Sequence, residues 1–241
     1  MSEPSNDNLI LVSGSSATGK SASLQYLADP AGVMYLNTES NKKLPFKSGF
    51  MELNVTDPFQ INEAFTHAET LPDVHTIVID SLTFLMDQFE TQYVLTSDNK
   101  MTAWGDFAQY FKTLMQQYVA ESSKNVIVTA HTLSILNEQT MELETRVPIK
   151  GALKNNGVEA YFSTVISTKA ITTKKLEKTS NDLLDITDYE EEDGFKYVFQ
   201  TRLTKETVNE KIRSPMGMWE RGETYIDNDL QQVIQRLHDY Y

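Results

Sequence analysis

The chain has 241 residues, 40% of them apolar, no cysteine and a net charge of −13. That suits one large α/β domain, or a domain with a modest appendage. It excludes disulfides and thiolate metal sites, in keeping with a reducing cytoplasm. No apolar run approaches the roughly 18 residues of a membrane span, and the acidic balance argues against a protein that coats nucleic acid by general basicity, though a local basic groove stays open.

The polar start, MSEPSNDN, reads as neither a signal nor a transit peptide. Leu9 to Ser13 predicts a buried strand, and Lys20 to Leu27 the helix behind it. Val33 to Asn37 is a second strand and Met51 to Val55 a short third one. Phe59 to Ala68 has apolar residues at helical spacing. Thr76 to Ile79 is a buried strand ending on Asp80. Leu82 to Val94 and Thr102 to Ala120 read as helices, and Val126 to Ala130 as a further strand. This alternation predicts a three-layer α/β fold with a mainly parallel sheet. Ser134 to Asn156 is polar and irregular. Tyr161 to Thr168 and Lys196 to Arg202 then read as strands that extend the sheet antiparallel. Between them Asp182 to Asp193 carries seven acids and no base, the solvated tip of a long hairpin or a partner site. Asn228 to Leu237 closes the chain as a helix capped by Asp227 or Asn228. The expected organisation is one domain over 1–241: a core of about 8–170, an acidic hairpin loop of about 177–194, and C-terminal strands and helix over 195–241.

GSSATGKS directly follows the first strand and fits the pattern G-x-x-x-x-G-K-[ST]. Glycines let backbone N–H groups turn inward around an anion, and the next helix adds its positive end. Gly14, Ser15, Ser16, Ala17, Thr18, Gly19, Lys20 and Ser21 are therefore expected to hold the phosphates of ATP. Lys20 reaches the β- and γ-phosphates and the Ser21 hydroxyl ligates Mg²⁺. Asp80 ends TIVID, where a carboxylate holds Mg²⁺ through water, or else simply ends a strand or caps a helix. Glu39 follows VMYLN, at the carboxyl end of a strand, where ligands of α/β sheets sit. It faces the γ-phosphate and polarises water, or it is an exposed loop residue. His131 ends VIVTAH, as a γ-phosphate sensor or a turn-capping histidine. Four scattered histidines and no cysteine speak against a structural metal site.

Together Lys20, Glu39, Asp80-Ser81 and His131 resemble the RecA-like ATPase core, and the likeness extends over almost the whole chain. It implies a three-layer RecA-like P-loop NTPase core with a catalytic glutamate at Glu39. His131 stands where a glutamine is usual. VPIKGALKNNGVEAYFSTVIS (147–167) is similar to the segment that follows the second DNA-binding loop. TRLTKETVNEKIRSPMGMWE (201–220) is similar to the strand whose basic residues reach a neighbouring subunit's nucleotide, which puts Lys211 and Arg213 in that role, against a reading as ordinary surface charge. More narrowly, TAWGDFAQYF, RSPMG and YIDNDL resemble phage nucleotide-binding proteins of this class, some of which act in single-strand annealing or recombination. The sequence departs from bacterial RecA in lacking its N-terminal helix and linker and its large C-terminal domain.

The resemblance implies a Mg²⁺-ATP-dependent ATPase that binds single-stranded DNA, self-associates into a ring or filament, and works in the cytoplasm of a bacterial host. Two loops should face DNA: one near Thr96 to Gly105, the other within Leu133 to Asn156, with Lys150, Lys154 and nearby Arg146. Trp104 stacks on a base or packs at the start of its helix. Acidity of the whole calls for strongly salt-dependent DNA binding, or for help from a single-strand-binding protein. The alternatives are an ATPase switch acting on a protein partner, such as a helicase loader or assembly regulator, and a small-molecule kinase.

Overall fold

The computed structural model describes residues 6–138, 141–155, 157–179 and 181–241. Its strands are β1 Leu9–Gly14, β2 Val33–Asn37, β3 Met51–Asn54, β4 Thr76–Asp80, β5 Asn125–His131, β6 Leu133–Asn137, β7 Glu142–Arg146, β8 Thr164–Thr172, β9 Phe195–Gln200 and β10 Tyr225–Asp227. The helices are α1 Gln60–Glu69, α2 Leu82–Phe89, α3 Lys100–Thr113, α4 Thr173–Leu176, α5 Asp188–Asp193 and α6 Leu230–Tyr240. Eight strands form one sheet in the order β10-β9-β8-β1-β5-β4-β2-β3. Its six central and edge strands from β8 to β3 run parallel, while β9 and β10 pair antiparallel at the other edge. The expected mixed sheet is therefore present, with the antiparallel strands at its C-terminal end.

Alternating side chains of each strand feed two cores. Leu9, Leu11, Met34, Leu36, Ile77, Ile79, Val126 and Val128 face α1, α2 and α3. Ile10, Val12, Val33, Tyr35, Val78 and Ile127 face α6 and the segment after β1. Both faces are covered, which is why these strands are apolar throughout.

Three local expectations are corrected. Lys20 to Leu27 is not an α-helix; only Ala22–Tyr26 turns, as a 3₁₀ segment. Its backbone bonds run three residues back, from Leu24 N to Ser21 O at 3.3 Å and from Leu27 N to Leu24 O at 3.2 Å. Leu27 is already extended and Pro30 starts a second short turn. Second, within the stretch expected to be irregular, β6 and β7 pair antiparallel and form their own two-stranded sheet. Third, α6 is capped by Asp229, whose carboxylate accepts from Gln231 N at 2.8 Å. Asp227 belongs to β10 and Asn228 bonds elsewhere. The helices expected over 82–94 and 102–120 are present, and each finishes in a π-helical turn, Glu90–Val94 and Leu114–Val119.

The acidic stretch contains α5, whose Thr187–Glu190 capping box closes both ways. Acids in a first helical turn are favoured by the helix dipole. Lys196 holds Glu190 at 2.7 Å and Asp227 at 3.3 Å, tying this segment to β9 and β10.

Candidate nucleotide site

The carboxyl ends of β1, β2, β4 and β5 converge on a cleft of about 370 Å³. The loop 14–21 forms one wall. Ala17 (φ 62°) and Gly19 (φ 97°) take left-handed conformations that turn the backbone. Two glycines are also fixed by close approach. A Cβ on Gly14 would lie 2.1 Å from Thr168 Oγ1 of β8, and one on Gly19 would lie 2.6 Å from Asn228 Nδ2. Thr18 and Thr168 share a 2.6 Å hydroxyl contact, and Asn228 Nδ2 donates to Gly19 O at 2.9 Å. The loop is thus seated on β8 and on the approach to α6. Its residues Ser16, Ala17, Gly19, Lys20 and Ser21 line the cleft, while Gly14, Ser15 and Thr18 line a hydroxyl-rich groove on its other side.

Lys20 is only 6% exposed. Its ammonium donates to Gly14 O at 2.9 Å and Ser15 O at 2.7 Å. Burial pulls its pKa down to about 8, against the opposing pull of Asp80 and Glu39. A charged group held on backbone carbonyls in a dry cradle lacks a full counter-charge, as an anion-binding lysine would.

Asp80 is 2% exposed and fully hydrogen-bonded. Oδ2 accepts from Ser21 Oγ and Tyr35 OH, each at 2.8 Å, and Oδ1 from Thr129 Oγ1 at 2.5 Å. Burial and then Asp80 push the Tyr35 phenol far above its ordinary range, so it stays a donor. Ser21 and Asp80 are hard oxygen donors side by side. Among the described residues no cluster of three or more His, Cys, Asp or Glu could hold a metal ion unaided. The donor set fits a cation that brings most of its ligands as phosphates and water, as Mg²⁺ does.

Glu39 sits 9% exposed at the mouth. It accepts from Lys42 Nζ at 2.7 Å and Ser81 Oγ at 3.2 Å, and His131 Nε2 lies 3.5 Å away. The His131 contact, then Lys42 and Ser81, overcome burial and hold its pKa down at about 2. The backbone here is pinned across strands. Thr38 Oγ1 accepts from Ser81 N and donates to Ser81 O, both at 2.7 Å, while Asn37 Oδ1 accepts from Glu39 N at 3.0 Å. The Asp80-Ser81 peptide is cis. His131 is fixed by its backbone N–H on Thr83 Oγ1 (2.9 Å) and by an edge contact with Phe84.

The fold therefore brings Lys20, Ser21, Glu39, Asp80 and His131 to one cleft. It does not bring Lys211 or Arg213 there. Lys211 pairs with Glu144 in the middle of β7, and the Arg213 backbone pairs with Val165. Both line a separate groove with Arg146 and Glu159. Of the expected DNA loops, Gln139, Thr140 and Asn156 lie outside the described residues. Lys150 pairs with Glu90. Trp104 packs edge-on against Phe107 at 5.7 Å and lines a slot of about 150 Å³ whose charged residues are Arg146, Lys150 and Lys154 together with Asp87 and Glu90.

Sequence reading missed Tyr35, Thr129, Lys42 and Asn228. Tyr35 and Thr129 had a signal, being polar-tipped residues inside apolar strands that flank the Asp80 strand; Lys42 and Asn228 had none beyond polarity.

No helix among the described residues is long and apolar enough to cross a membrane. No curated protein matches the chain. A family model described as an AAA domain matches residues 6–209, from just before β1 to beyond β9. With that match laid over the phosphate-type loop and its paired Ser21 and Asp80, the chain belongs to the AAA domain family and has the fold of a P-loop ATPase.

Proposed function

We propose that the protein is a Mg²⁺-ATP-dependent ATPase of the RecA-like type, phage-encoded and working in the bacterial cytoplasm, that binds single-stranded DNA and promotes recombination or strand annealing. In this reading residues 1–241 act as one domain. The observation that carries it is the convergence of Lys20, Ser21, Asp80 and Glu39 on one cleft. Lys20 and the amides of Gly14 to Ser21 hold the phosphates. Ser21 and Asp80 would hold Mg²⁺, which when bound would supply positive charge beside the phosphates. Glu39 orients the attacking water. Its depressed pKa suits holding that water by a hydrogen bond more than storing its proton, and loss of the Lys42 or His131 contact raises its basicity. His131, touching Glu39, senses the γ-phosphate. Lys211 and Arg213, remote from their own cleft, complete a neighbouring copy's site in a ring or filament.

The slot beside Trp104 supports DNA binding. Apolar lining for a base beside Arg146, Lys150 and Lys154 for phosphates is the combination a single-strand groove uses, although Asp87 and Glu90 also line the slot and Glu90 holds Lys150, so DNA must compete for that lysine. A single-strand-binding protein would assist at physiological salt. The test is the ATPase rate with and without single-stranded DNA at low salt. Stimulation that Lys20→Ala abolishes is expected; an unchanged rate together with no DNA complex in the presence of an ATP analogue ends this reading. One observation favours the second reading, a switch acting on a protein partner: the β6–β7 hairpin, over the expected DNA loop, exposes apolar residues among three acids and one base.

A further inference from the structure

We infer that the tip of the β6–β7 hairpin docks head to tail on the lysine-bearing loop beside the nucleotide cleft of a second copy of this chain; this deepens the self-association just proposed and rests on it. The hairpin is paired with no strand of the main sheet. Leu136 and Leu143 face each other across it and, with Met141 at its end, are 49%, 61% and 73% exposed. A two-stranded ribbon with uncovered apolar side chains is marginal in water and reads as an interaction element. Its exposed charges near the tip are Glu138 and Glu142, which repel nucleic acid.

The complementary surface is on the same molecule. Residues 42–47, KKLPFK, expose Lys43 and Pro45 at the cleft and Lys47 further along the same loop, and neither Lys43 nor Lys47 has an ion pair among the described residues. Phe46 packs edge-on to Phe50 at 5.9 Å, and Phe50 lies against Tyr35, so the loop is held in place before a partner arrives. Leu44, Phe46 and Phe50 belong to the α6 side of the sheet, whereas Ile135 of the hairpin shares its slot with Met86 and Trp104 on the α1–α3 side. Hairpin and loop are different, complementary surfaces, so a contact between them is of the heterologous kind, which closes into a ring where the rotation allows and otherwise continues as a filament.

The experiment is sedimentation velocity of the full chain with Mg²⁺ and adenylyl imidodiphosphate, with binding of a fluorescent ATP analogue followed separately. Wild type should self-associate. The double variants Glu138→Lys/Glu142→Lys and Lys43→Glu/Lys47→Glu should each associate about tenfold more weakly or not at all. An equal mixture of the two should recover assembly, because each reversed hairpin then meets a reversed loop and each native hairpin a native loop. Leu136→Ser/Leu143→Ser, which changes no charge, should also weaken assembly and should not be recovered by mixing. A monomeric wild type that still binds nucleotide overturns the docking while sparing the ATPase reading. Assembly unaffected by both charge reversals, failure of the mixture to recover, or loss of DNA binding in place of self-association overturns it equally. Failure of wild type to bind nucleotide at all strikes the ATPase reading instead, and the mixing result without nucleotide then decides the docking.

Discussion

Raising the pH tests Lys20 without altering a single atom of the site. In the nucleotide-free protein burial holds its pKa near about 8. Bound phosphates favour the ammonium and should return it toward its ordinary value of about 10.4. Between those two values a nucleotide must bring a proton with it, so affinity falls about tenfold per pH unit. From pH 7 to pH 9.5 the charged fraction of free Lys20 drops from about nine-tenths to about three-hundredths, a predicted weakening of about 30-fold. The phosphates of the ligand are already ionised over this range. The stability of the free protein should move the opposite way. The unfolded lysine keeps its proton to higher pH than the folded one, so Lys20 makes stability rise with pH from about 8 to about 10. The assay is titration of a fluorescent ATP analogue at constant ionic strength, for wild type and Lys20→Arg. Arginine keeps its charge throughout, and its profile should be nearly flat, whatever its absolute affinity. A flat wild-type profile, or an equal fall in the arginine variant, would refute the assignment of Lys20 as the buried phosphate ligand.

Glu39→Gln should retain nucleotide binding and lose about 10²–10⁴ in hydrolysis rate, read by phosphate release. The same variant should flatten acid denaturation: the native Glu39 contribution is complete above the ordinary carboxylate pKa of about 4.3 and is lost as pH falls toward about 2. Thr129→Val removes the 2.5 Å donor to Asp80 at nearly constant volume, leaving a buried carboxylate oxygen short of a partner. Thermal unfolding should show a loss of about 1–3 kcal/mol. Gly14→Ala would press a methyl group against Thr168 Oγ1 at 2.1 Å and Thr168 O at 3.0 Å. It should cost about 1–3 kcal/mol, only partly recovered by Thr168→Ala because the carbonyl remains; an unchanged melting temperature would contradict the seating of the loop on β8.

The parts of the fold legible in the sequence are those whose signal is local and repeated. LILV, TIVI and VIVTA are covered on both faces, and burial on both faces leaves an unbroken apolar run. Asp80 and Glu39 stood out because a polar residue ends such a run where α/β sheets keep their ligands. The β6–β7 hairpin was illegible for the converse reason. LSILN and ELETR are exposed or half-exposed along their length, so the alternation that would announce a strand is absent. The segment after the loop misled differently. Its composition favours a helix, but the turn stops at Leu27, which is extended three residues before Pro30 begins the next turn. The hydrogen bonds that set Asp80 join residues 45 to 59 positions apart. Only the strand order puts Tyr35 and Thr129 on either side of Asp80, and no short window of sequence contains that order.

The distribution of charge gives the site its logic. A chain with net charge −13 must admit a nucleotide whose phosphates are strongly negative. It does so by gathering Lys20, Lys42 and Lys43 at one cleft, with Lys47 on the same loop, and by tying Glu190 of the 182–193 stretch to Lys196. Within that cleft Lys42 has two calls on it. In the free chain it holds Glu39, and any phosphate entering the cleft competes for the same ammonium. If the hairpin docks as inferred, the acids at its tip arrive beside Lys43 and Lys47 and add a third competitor. Each competitor that draws Lys42 away removes one of the contacts keeping the Glu39 pKa low and leaves the carboxylate free to take a water. Nucleotide entry and subunit contact would then act on hydrolysis through one side chain, which makes Lys42, rather than Glu39, the residue at which the two halves of the switch meet.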